Sequence, residues 1–306
     1  MKLWTAAIAF ATRTLEAAGV PSPGVDARLI AEHVAGGPLV NAPLEATPEQ
    51  QARMSALTIR RANREPLQHV LGVMWFRYLT LESRPGVFIV RPETEQVVEA
   101  AIRLLPQAGS PDDAAAPLAS VAAGLVLPDD ERAVEAGPRR PVVVDMCTGS
   151  GAIAISMATE TNARVYAVEL DPAAFDLAAA NIERCEAEVE LRAGDARTEF
   201  EDLVGRVDMV VTNPPYVPPT HELGPEAGRD PDLAMFGGGP DGLDLPRLLV
   251  ARALKLLAPG GILIMEHADE QGAALREAAL TCGFVEVSTG ADLAGRDRFL
   301  IAKRGA

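Results

Sequence analysis

The sequence predicts an α/β fold, in which a helical N-terminal region and a β-hairpin precede a seven-stranded, mostly parallel sheet. Three changes of pattern support it. Apolar residues recur at helical spacing up to residue 68, then at the two-residue period of strands, and from residue 141 strand-like and helix-like segments alternate. Such alternation is typical of a parallel sheet covered on both faces. We therefore expect a helical domain at 1–68, a hairpin linker at 69–92 and a sheet domain at 93–306.

Short amphipathic helices account for the first region. The stripe formed by Trp4, Ile8, Ala11 and Leu15 predicts the first helix, and charged residues within it argue against an export signal. Asp26 is a candidate start for the second.

A capping box predicts the third helix. Thr47 is the expected N-cap, Pro48 the first helical residue and Gln50 the capping partner. The helix ends in a basic cluster at 60–64, for which a solvated face is the simplest interpretation and an acidic partner the alternative.

Two strands are expected in the linker, at 69–81 and 87–90, followed by a helix that begins in the turn 91–95. Residues 106–140 are rich in Ala, Pro and Asp, and we interpret them as a flexible insertion.

Seven segments with strand patterns make up the predicted sheet. They are 142–146, 164–169, 188–192, 207–212, 261–266, 283–288 and 297–303. The last two are too close for a helix between them, so we expect an antiparallel hairpin at one edge of the sheet.

Composition limits the function classes. The chain of 306 residues is 48% hydrophobic and 23% charged, as in ordinary globular proteins, and its net charge of −15 argues against a nucleic-acid backbone as ligand. Three unpaired cysteines and four scattered histidines indicate reduced thiols and no metal site. With no apolar run of membrane-spanning length, we expect a cytoplasmic protein without membrane contact.

The turn after the first sheet strand is the candidate cofactor loop. Asp145 ends the strand, and Cys147, Thr148, Gly149 and Gly151 form a small-residue turn before a helix. In doubly wound sheets this turn lets a nucleotide-like ligand approach the backbone.

Acidic residues end the next two strands as well. Glu169 follows the second strand at the spacing of a ribose-binding acid, and Asp195 with Ala196 follows the third, where an adenine amine would lie. An acid-rich cleft suits a ligand with a positive centre, such as the sulfonium of S-adenosylmethionine; NAD uses the same ribose acid and is the competitor.

The fourth strand ends at Asn213, Pro214, Pro215 and Tyr216, the Asn-Pro-Pro-Tyr motif. Two prolines stiffen the turn, so the Asn213 carboxamide and the Pro214 carbonyl are held beside the flat ring of Tyr216. Two acceptors next to an aromatic face suit a planar group with N–H hydrogens. The motif favours the sulfonium cofactor, because it offers nothing for a hydride reaction; a proline-rich turn with a buried tyrosine is the non-functional alternative.

In these features the chain resembles the protein-(glutamine-N5) methyltransferases that modify peptide-chain release factors. The resemblance covers nearly all of the chain except 106–140. The matching parts are Glu65–Gly72, Arg91–Glu95, Asp145–Gly151, Asn213–Tyr216, Gly237–Leu243, Pro259–Gly261 leading to Glu266-His267, and Asp297-Arg298.

The resemblance implies an S-adenosylmethionine-dependent, Rossmann-like methyltransferase sheet and an N-terminal domain that helps to recognise the release factor. Asn213, Pro214 and Tyr216 are then catalytic, and they bind substrate together with Pro215, Arg91 and Glu93. The chain departs from the family pattern at Cys147 (usually Gly), Val90 (usually Pro) and Ala196 (often aromatic).

The expected substrate is the glutamine of a Gly-Gly-Gln loop in a release factor. We expect the glycine-rich loop 235–240 to lie across the pocket entrance and let another chain pass close. Three alternatives remain: a divergent paralogue acting on another amide, a nucleic-acid amino methyltransferase, which would need a basic groove, and a non-enzymatic binding protein. The oligomeric state stays open.

Overall fold

Helices form the N-terminal region of the computed structural model, which describes residues 2–105 and 139–306. They are α1 (Trp4–Ala17), α2 (Pro23–Ala35), α3 (Pro48–Ala62) and α4 (Leu67–Leu71), with a short pair of strands, β1 (Lys2–Leu3) and β2 (Glu45–Ala46). Their apolar faces enclose a separate core around Leu15, Ile30 and Ala31, each fully buried. No helix in the described ranges is both long and apolar enough to cross a bilayer.

The capping box of α3 is confirmed. The Thr47 hydroxyl accepts the Gln50 backbone N–H at 3.2 Å, and the Gln50 side chain accepts the Thr47 N–H at 2.9 Å. The expectation for Asp26 is wrong: α2 begins three residues earlier, at Pro23, and the Asp26 side chain is buried inside the helical core.

The linker contains a two-stranded hairpin, β3 (Val73–Phe76) and β4 (Leu79–Glu82), paired in antiparallel register. Only this part of the strand prediction holds. Residues 69–71 belong to α4, and 87–90 form no strand. There the Ile89 backbone N–H bonds to the Asp230 side chain, at 3.4 Å, in place of a neighbouring strand.

The sheet confirms all seven predicted strands. They are β5 (Val142–Met146), β6 (Arg164–Glu169), β7 (Val189–Ala193), β8 (Val207–Thr212), β9 (Leu257–Glu266), β10 (Phe284–Ala291) and β11 (Asp297–Arg304), in the order β10-β11-β9-β8-β5-β6-β7. The first five are parallel, and β10 and β11 form the expected antiparallel hairpin at the edge.

Helices cover both faces of this sheet. They are α5 (Thr94–Leu104), α6 (Ala152–Glu160), α7 (Pro172–Arg184), α9 (Asp244–Leu256) and α10 (Gly272–Cys282), while the short α8 (Asp232–Met235) lies at the cavity described below. One core lies between the sheet and α9 and α10, and another between the sheet and α5 and α6. The strand order reverses between β5 and β8, and in such sheets ligands bind beyond the carboxyl ends of the strands at that point. The predicted insertion lies, apart from residues 139 and 140, outside the described residues.

Candidate active site

A cavity of about 290 Å³ opens at the carboxyl ends of β5, β6 and β8. Its walls come from the strand-end loops, from the linker and from the segment that follows the Asn-Pro-Pro-Tyr motif. They include Gly86, Val87, Phe88, Cys147, Gly149, Val168, Glu169, Leu170, Asp171, Ala174, Gly194, Asp195, Ala196, Arg197, Asn213, Pro215, Pro231, Leu233, Ala234 and Leu245.

Asp145 was expected to contact the cofactor, but it does not line the cavity. It lies beneath the loop and holds it in place. Its Oδ2 accepts the Thr148 hydroxyl at 2.5 Å and the Ala154 backbone N–H at 3.1 Å. Full burial raises the pKa of this carboxyl to about 7. Thr148 and Gly151 are likewise absent from the cavity wall; Gly151 is the residue before α6 and packs against Ile155.

Gly149 and Glu169 meet at the cavity. The Gly149 backbone N–H donates to Glu169 Oε2 at 2.8 Å, while Oε1 accepts the N–H groups of Leu170 and Asp171. Gly149 has φ of +57°, and a Cβ built on it would meet nothing within 4 Å. The loop therefore leaves open space where a side chain would stand, beside a carboxylate that its own backbone holds in place.

Asp195 and Ala196 line the same cavity from the end of β7. The Asp195 carboxylate forms an ion pair with Arg197 and accepts its backbone N–H, and these bonds lower the pKa of Asp195. An adenine amine at this position would share Asp195 with Arg197.

Asn213 lines the cavity immediately after β8. Its amide nitrogen Nδ2 donates to the hydroxyl of Thr94 at 3.2 Å. Because the nitrogen is engaged by Thr94, the carboxamide oxygen Oδ1 is the atom left to accept a hydrogen from a ligand. The carbonyl oxygen of Pro214 also accepts no hydrogen bond within the described residues. Two neighbouring acceptors are thus free, as the motif predicts.

Tyr216 is anchored at both ends. Its hydroxyl donates to Glu266 Oε1 at 3.1 Å, and its backbone oxygen accepts from Gln271 Nε2 at 2.7 Å. The same Gln271 nitrogen donates to the Asp241 carbonyl at 2.8 Å, so it joins the motif to the glycine-rich loop. Burial raises the pKa of the Tyr216 phenol well above its usual range. Tyr216 therefore acts as a neutral, fixed aromatic surface.

The glycine-rich loop packs against the motif itself, while its expected role in letting another chain pass close stays a prediction. A Cβ on Gly237 would lie 1.9 Å from the Gly242 carbonyl oxygen and 2.6 Å from the Pro215 carbonyl oxygen. A Cβ on Gly242 would lie 2.2 Å from the Tyr216 carbonyl oxygen. The glycines thus permit two backbones within this chain to touch.

Gly237→Ala should misplace the motif and lower kcat about 100-fold, since a shift of about 1 Å in a reacting group has that effect. Gly224→Ala is the matched control, because Gly224 lies in the same connecting region and a Cβ there would meet nothing within 4 Å. Steady-state kinetics of both variants with their melting temperatures test this. Equal activities would show that the Gly237 contact does not hold the motif in place.

Arg91 and Glu93 lie outside the cavity wall. Arg91 forms an ion pair with Asp230 and stacks over the Phe88 ring at 4.9 Å, while Glu93 lies 3.9 Å from the Arg296 guanidinium. Phe88 does line the cavity. The observed role of Arg91 is therefore to fix a cavity wall, and direct substrate contact by Arg91 or Glu93 stays a prediction.

The basic cluster at the end of α3 joins the helical region to the segment after the motif. Arg61, whose side chain is 7% exposed, binds Asp26 at 2.7 Å and Glu226 at 3.0 Å. Arg64 binds the other oxygen of Glu226 at 2.6 Å, and this bond is the main reason that the pKa of Glu226 falls to about 2. The expectation of a solvated face is wrong for Arg61, and the acidic partners lie within the chain.

Two families of known proteins match parts of the chain. The PrmC N-terminal domain family matches residues 6–72 and the methyltransferase small domain family matches 133–223. The release factor glutamine methyltransferase of Streptomyces coelicolor is 42% identical, with 99% of both chains covered. Those of Corynebacterium glutamicum (96% of both chains) and Mycolicibacterium smegmatis (97% of this chain, 96% of the relative) are each 40% identical.

The chain belongs to the release factor glutamine methyltransferase family. It is accordingly an enzyme that uses S-adenosylmethionine. The cavity fits this cofactor: Gly149 leaves room at the loop, Glu169 supplies acceptors, and Val87, Phe88 and Leu245 supply apolar surface.

Cys147 is one of the positions at which the chain departs from the pattern that the resemblance implies. Cys147 has φ of +61°, in the left-handed region that glycine adopts without a steric cost. The thiol lines the cavity, and burial raises its pKa far above the usual range. Cys147 is therefore a neutral, slightly strained residue at a position where the resemblance implies glycine.

Three polar residues around the motif were not among the site residues predicted from the sequence. They are Thr94, Glu266 and Gln271, which are 0%, 1% and 7% exposed. Thr94 and Glu266 each lie inside a segment that carries the family resemblance. That resemblance is the sequence feature that could have indicated them as site residues. Nothing in the local sequence of Gln271 distinguishes it from an ordinary residue at a helix start.

Proposed function

We propose that this protein transfers a methyl group from S-adenosylmethionine to the side-chain amide nitrogen of a glutamine, in the Gly-Gly-Gln loop of a peptide-chain release factor. The relatives that match over nearly the whole chain are named for modification of release factor glutamine. The observation that carries the proposal is the orientation of Asn213. Thr94 engages the carboxamide nitrogen, and the oxygen is left for a substrate that donates N–H hydrogens.

The cofactor is held by the residues that line the cavity. Glu169 accepts hydrogen bonds from the ribose, and the loop at Cys147 and Gly149 lets the cofactor approach the backbone. Asp195 and Ala196 border the adenine. When bound, S-adenosylmethionine supplies an electrophilic methyl group on a positively charged sulfur.

The substrate amide is held by the motif. Asn213 Oδ1 and the Pro214 carbonyl oxygen each accept one amide hydrogen, Pro215 forms the floor, and the Tyr216 ring stacks on the amide plane. An amide nitrogen is a poor nucleophile because its lone pair is delocalised into the carbonyl. Fixed acceptors meet the positive charge that develops on nitrogen, and holding the two reactants in line can contribute about 7–11 kcal/mol.

The proton leaves after methyl transfer, so the site needs no basic side chain. The carboxyl of Asp145 lies beneath the loop, and Tyr216 stays neutral because its pKa is raised. An N-protonated amide is a strong acid, and water is a sufficient acceptor for its proton.

The helical region, residues 1–68 in the predicted division, contributes to recognition of the release factor. It is tied through Arg61 and Arg64 to the segment that runs from Tyr216 to the cavity wall at Pro231. A partner held on the helices is therefore held at a fixed distance from the motif. An intact release factor should be a better substrate than an isolated Gly-Gly-Gln peptide.

The test uses purified protein and labelled S-adenosylmethionine with four acceptors. They are an intact release factor, the same factor with the Gly-Gly-Gln glutamine changed to alanine, the isolated peptide, and a DNA oligonucleotide. Peptide mass spectrometry should place the label on that glutamine, with faster labelling of the intact factor than of the peptide. Label that persists in the alanine factor, or that enters only DNA, would contradict the proposal.

A further inference from the structure

The Gln271 side chain joins three segments of the chain next to the candidate active site. Its nitrogen Nε2 donates to the carbonyl oxygens of Tyr216 at 2.7 Å and of Asp241 at 2.8 Å. Its oxygen Oε1 accepts the backbone N–H of Ala268 at 2.9 Å. The amide nitrogen has two hydrogens, and both are used. Only this orientation of the carboxamide suits two carbonyls and one N–H, so the partners fix the side chain completely.

Most of this bonding does not serve the helix that Gln271 precedes. Gln271 is the N-cap residue of α10, and its side chain makes no capping bond to that helix. An N-cap side chain ordinarily accepts a free N–H of the first helical turn. Two of the three bonds instead reach backbone that lies 55 and 30 residues earlier in the chain. The side chain is therefore committed to the motif and the glycine-rich loop.

The Tyr216 carbonyl lies in backbone that has few donors. The stretch that begins at Pro214 reads Pro-Pro-Tyr-Val-Pro-Pro, and proline has no backbone N–H. Of the two N–H groups that remain, that of Val217 donates to the Met235 carbonyl at 2.8 Å. Within the described residues, Gln271 is the one donor to the Tyr216 carbonyl. A part-buried carbonyl needs a donor, and here a side chain from another segment supplies it.

The Asn-Pro-Pro-Tyr motif is thereby held at both ends. Before the motif, Thr212 ends β8 and is paired with both neighbouring strands, β5 and β9. At the end of the motif, Tyr216 is joined through Gln271 to the glycine-rich loop. The two prolines stiffen the backbone between these points. The acceptors at Asn213 and Pro214 therefore have little freedom to move once both ends are fixed.

We propose that Gln271 is a positioning residue of the methyl-transfer site. Its two bonds to the Tyr216 and Asp241 carbonyls, here called the Gln271 clamp, hold the end of the motif so that the acceptors for the substrate amide stay in place. Gln271 is absent from the cavity wall, so it acts through the motif and not on a reactant. This inference deepens the proposed function and rests on it for its kinetic part.

Two replacements separate the clamp from the bond to Ala268. Gln271→Met keeps the approximate length of the side chain and removes all three bonds. Gln271→Glu keeps an oxygen for the Ala268 N–H, but its carboxylate has no hydrogen to donate to the two carbonyls. At pH 9, where the new carboxyl is ionised, both variants should lower kcat about 10- to 100-fold, because a shift of about 1 Å in a reacting group has an effect of this order. KM for an intact release factor and affinity for S-adenosylmethionine should change little.

Arg304→Met is the matched control for these variants. One guanidinium nitrogen of Arg304 also donates to two backbone carbonyls, those of Leu254 and Leu257, and so joins the end of α9 to the start of β9. These bonds lie at the amino end of β9, whereas the cavity lies at the carboxyl ends of the strands. Arg304→Met should lower the melting temperature, as Gln271→Met should, but leave kcat unchanged. All rates are compared well below the melting temperatures.

Hydrogen exchange measures the clamp in the free protein, without any substrate. The N–H groups of Val217 and Gly237 pair the end of the motif with the loop, by bonds of 2.8 Å to the Met235 carbonyl and 3.3 Å to the Val217 carbonyl. In Gln271→Met both should exchange about tenfold faster, because the backbone there opens locally. This increase should exceed any increase in β5 and β6, and Arg304→Met should show no such excess.

The outcomes separate the positioning role from the proposed function. Full turnover of Gln271→Glu, an equal loss of turnover in Gln271→Met and Arg304→Met, or exchange at Val217 and Gly237 that rises no more than in the strands would overturn the clamp. If the unchanged protein fails to label the release factor, the proposed function fails while the exchange measurement still decides the positioning role. If it labels normally and neither exchange nor kcat changes in the variants, only the positioning role is wrong.

Discussion

Asn213→Ala should lower kcat about 10²- to 10³-fold, equivalent to about 3–4 kcal/mol, as for loss of one fixed acceptor in an oxyanion hole. In the proposed function, Asn213 Oδ1 accepts a hydrogen of the substrate amide as charge develops on the amide nitrogen. The bond from the Asn213 nitrogen to Thr94 orients this oxygen, and the alanine variant has no side-chain oxygen to replace it. Single-turnover kinetics with an intact release factor, together with calorimetry of S-adenosylmethionine binding, measures both sides of the effect.

Asn162→Ala is the control for this prediction. Asn162 is an exposed asparagine between α6 and β6, at the amino end of β6, whereas the cavity lies at the carboxyl ends of the strands. Its replacement should leave both turnover and cofactor binding unchanged. If Asn213→Ala instead lost cofactor affinity in proportion to activity, Asn213 would serve mainly to bind the cofactor, and its assignment to the reacting amide would be wrong.

Arg61→Met should lower the free energy of unfolding by about 3–5 kcal/mol, the cost of leaving a buried charge unpaired. Asp26, with a side chain 10% exposed, loses its only guanidinium partner within the described residues. Glu226 retains Arg64, so the uncompensated charge is that of Asp26. Urea unfolding at pH 7, followed by circular dichroism, measures the change.

Two companions sharpen this measurement. Arg28→Met removes a helix-surface pair in which Arg28 is 70% exposed, and such pairs contribute at most about 0.5 kcal/mol. Arg61→Met/Asp26→Ala should be less unstable than the sum of its single variants, because the second change removes the stranded charge. A loss from Arg61→Met no larger than that from Arg28→Met would show that the network adds nothing to stability.

The sequence alone determined where the strands of the sheet lie along the chain. β5, β6 and β8 lie at the predicted residues 142–146, 164–169 and 207–212, because strands of a parallel sheet are buried on both faces and therefore have mostly apolar, Val-rich sequences. It also located the strand-end loops and the Asn-Pro-Pro-Tyr motif, since a stiff turn after a core strand depends on local chemistry. Membership of the methyltransferase family could be inferred from these same segments.

Only the tertiary structure decided which way side chains face and what they touch. Asp145 and Glu169 are both acids at strand ends, yet Asp145 points into the protein and Glu169 lines the cavity. The apolar segment 87–90 has a strand-like composition, but the Ile89 backbone N–H bonds to Asp230, and Val87 and Phe88 line the cavity. The composition of a strand is a property of its own sequence. The neighbouring strand with which it must pair comes from elsewhere in the chain and is not visible locally.

The same limit explains Thr94, Glu266 and Arg61. Thr94 and Asn213 are 119 residues apart in the chain, and Arg61 and Glu226 are 165 apart. A hydroxyl at a helix start and an arginine at a helix end satisfy local rules equally well in solvent. Their pairing arises because packing of the sheet and the helical region brings these distant groups into one water-poor space, where each buried polar atom needs a partner.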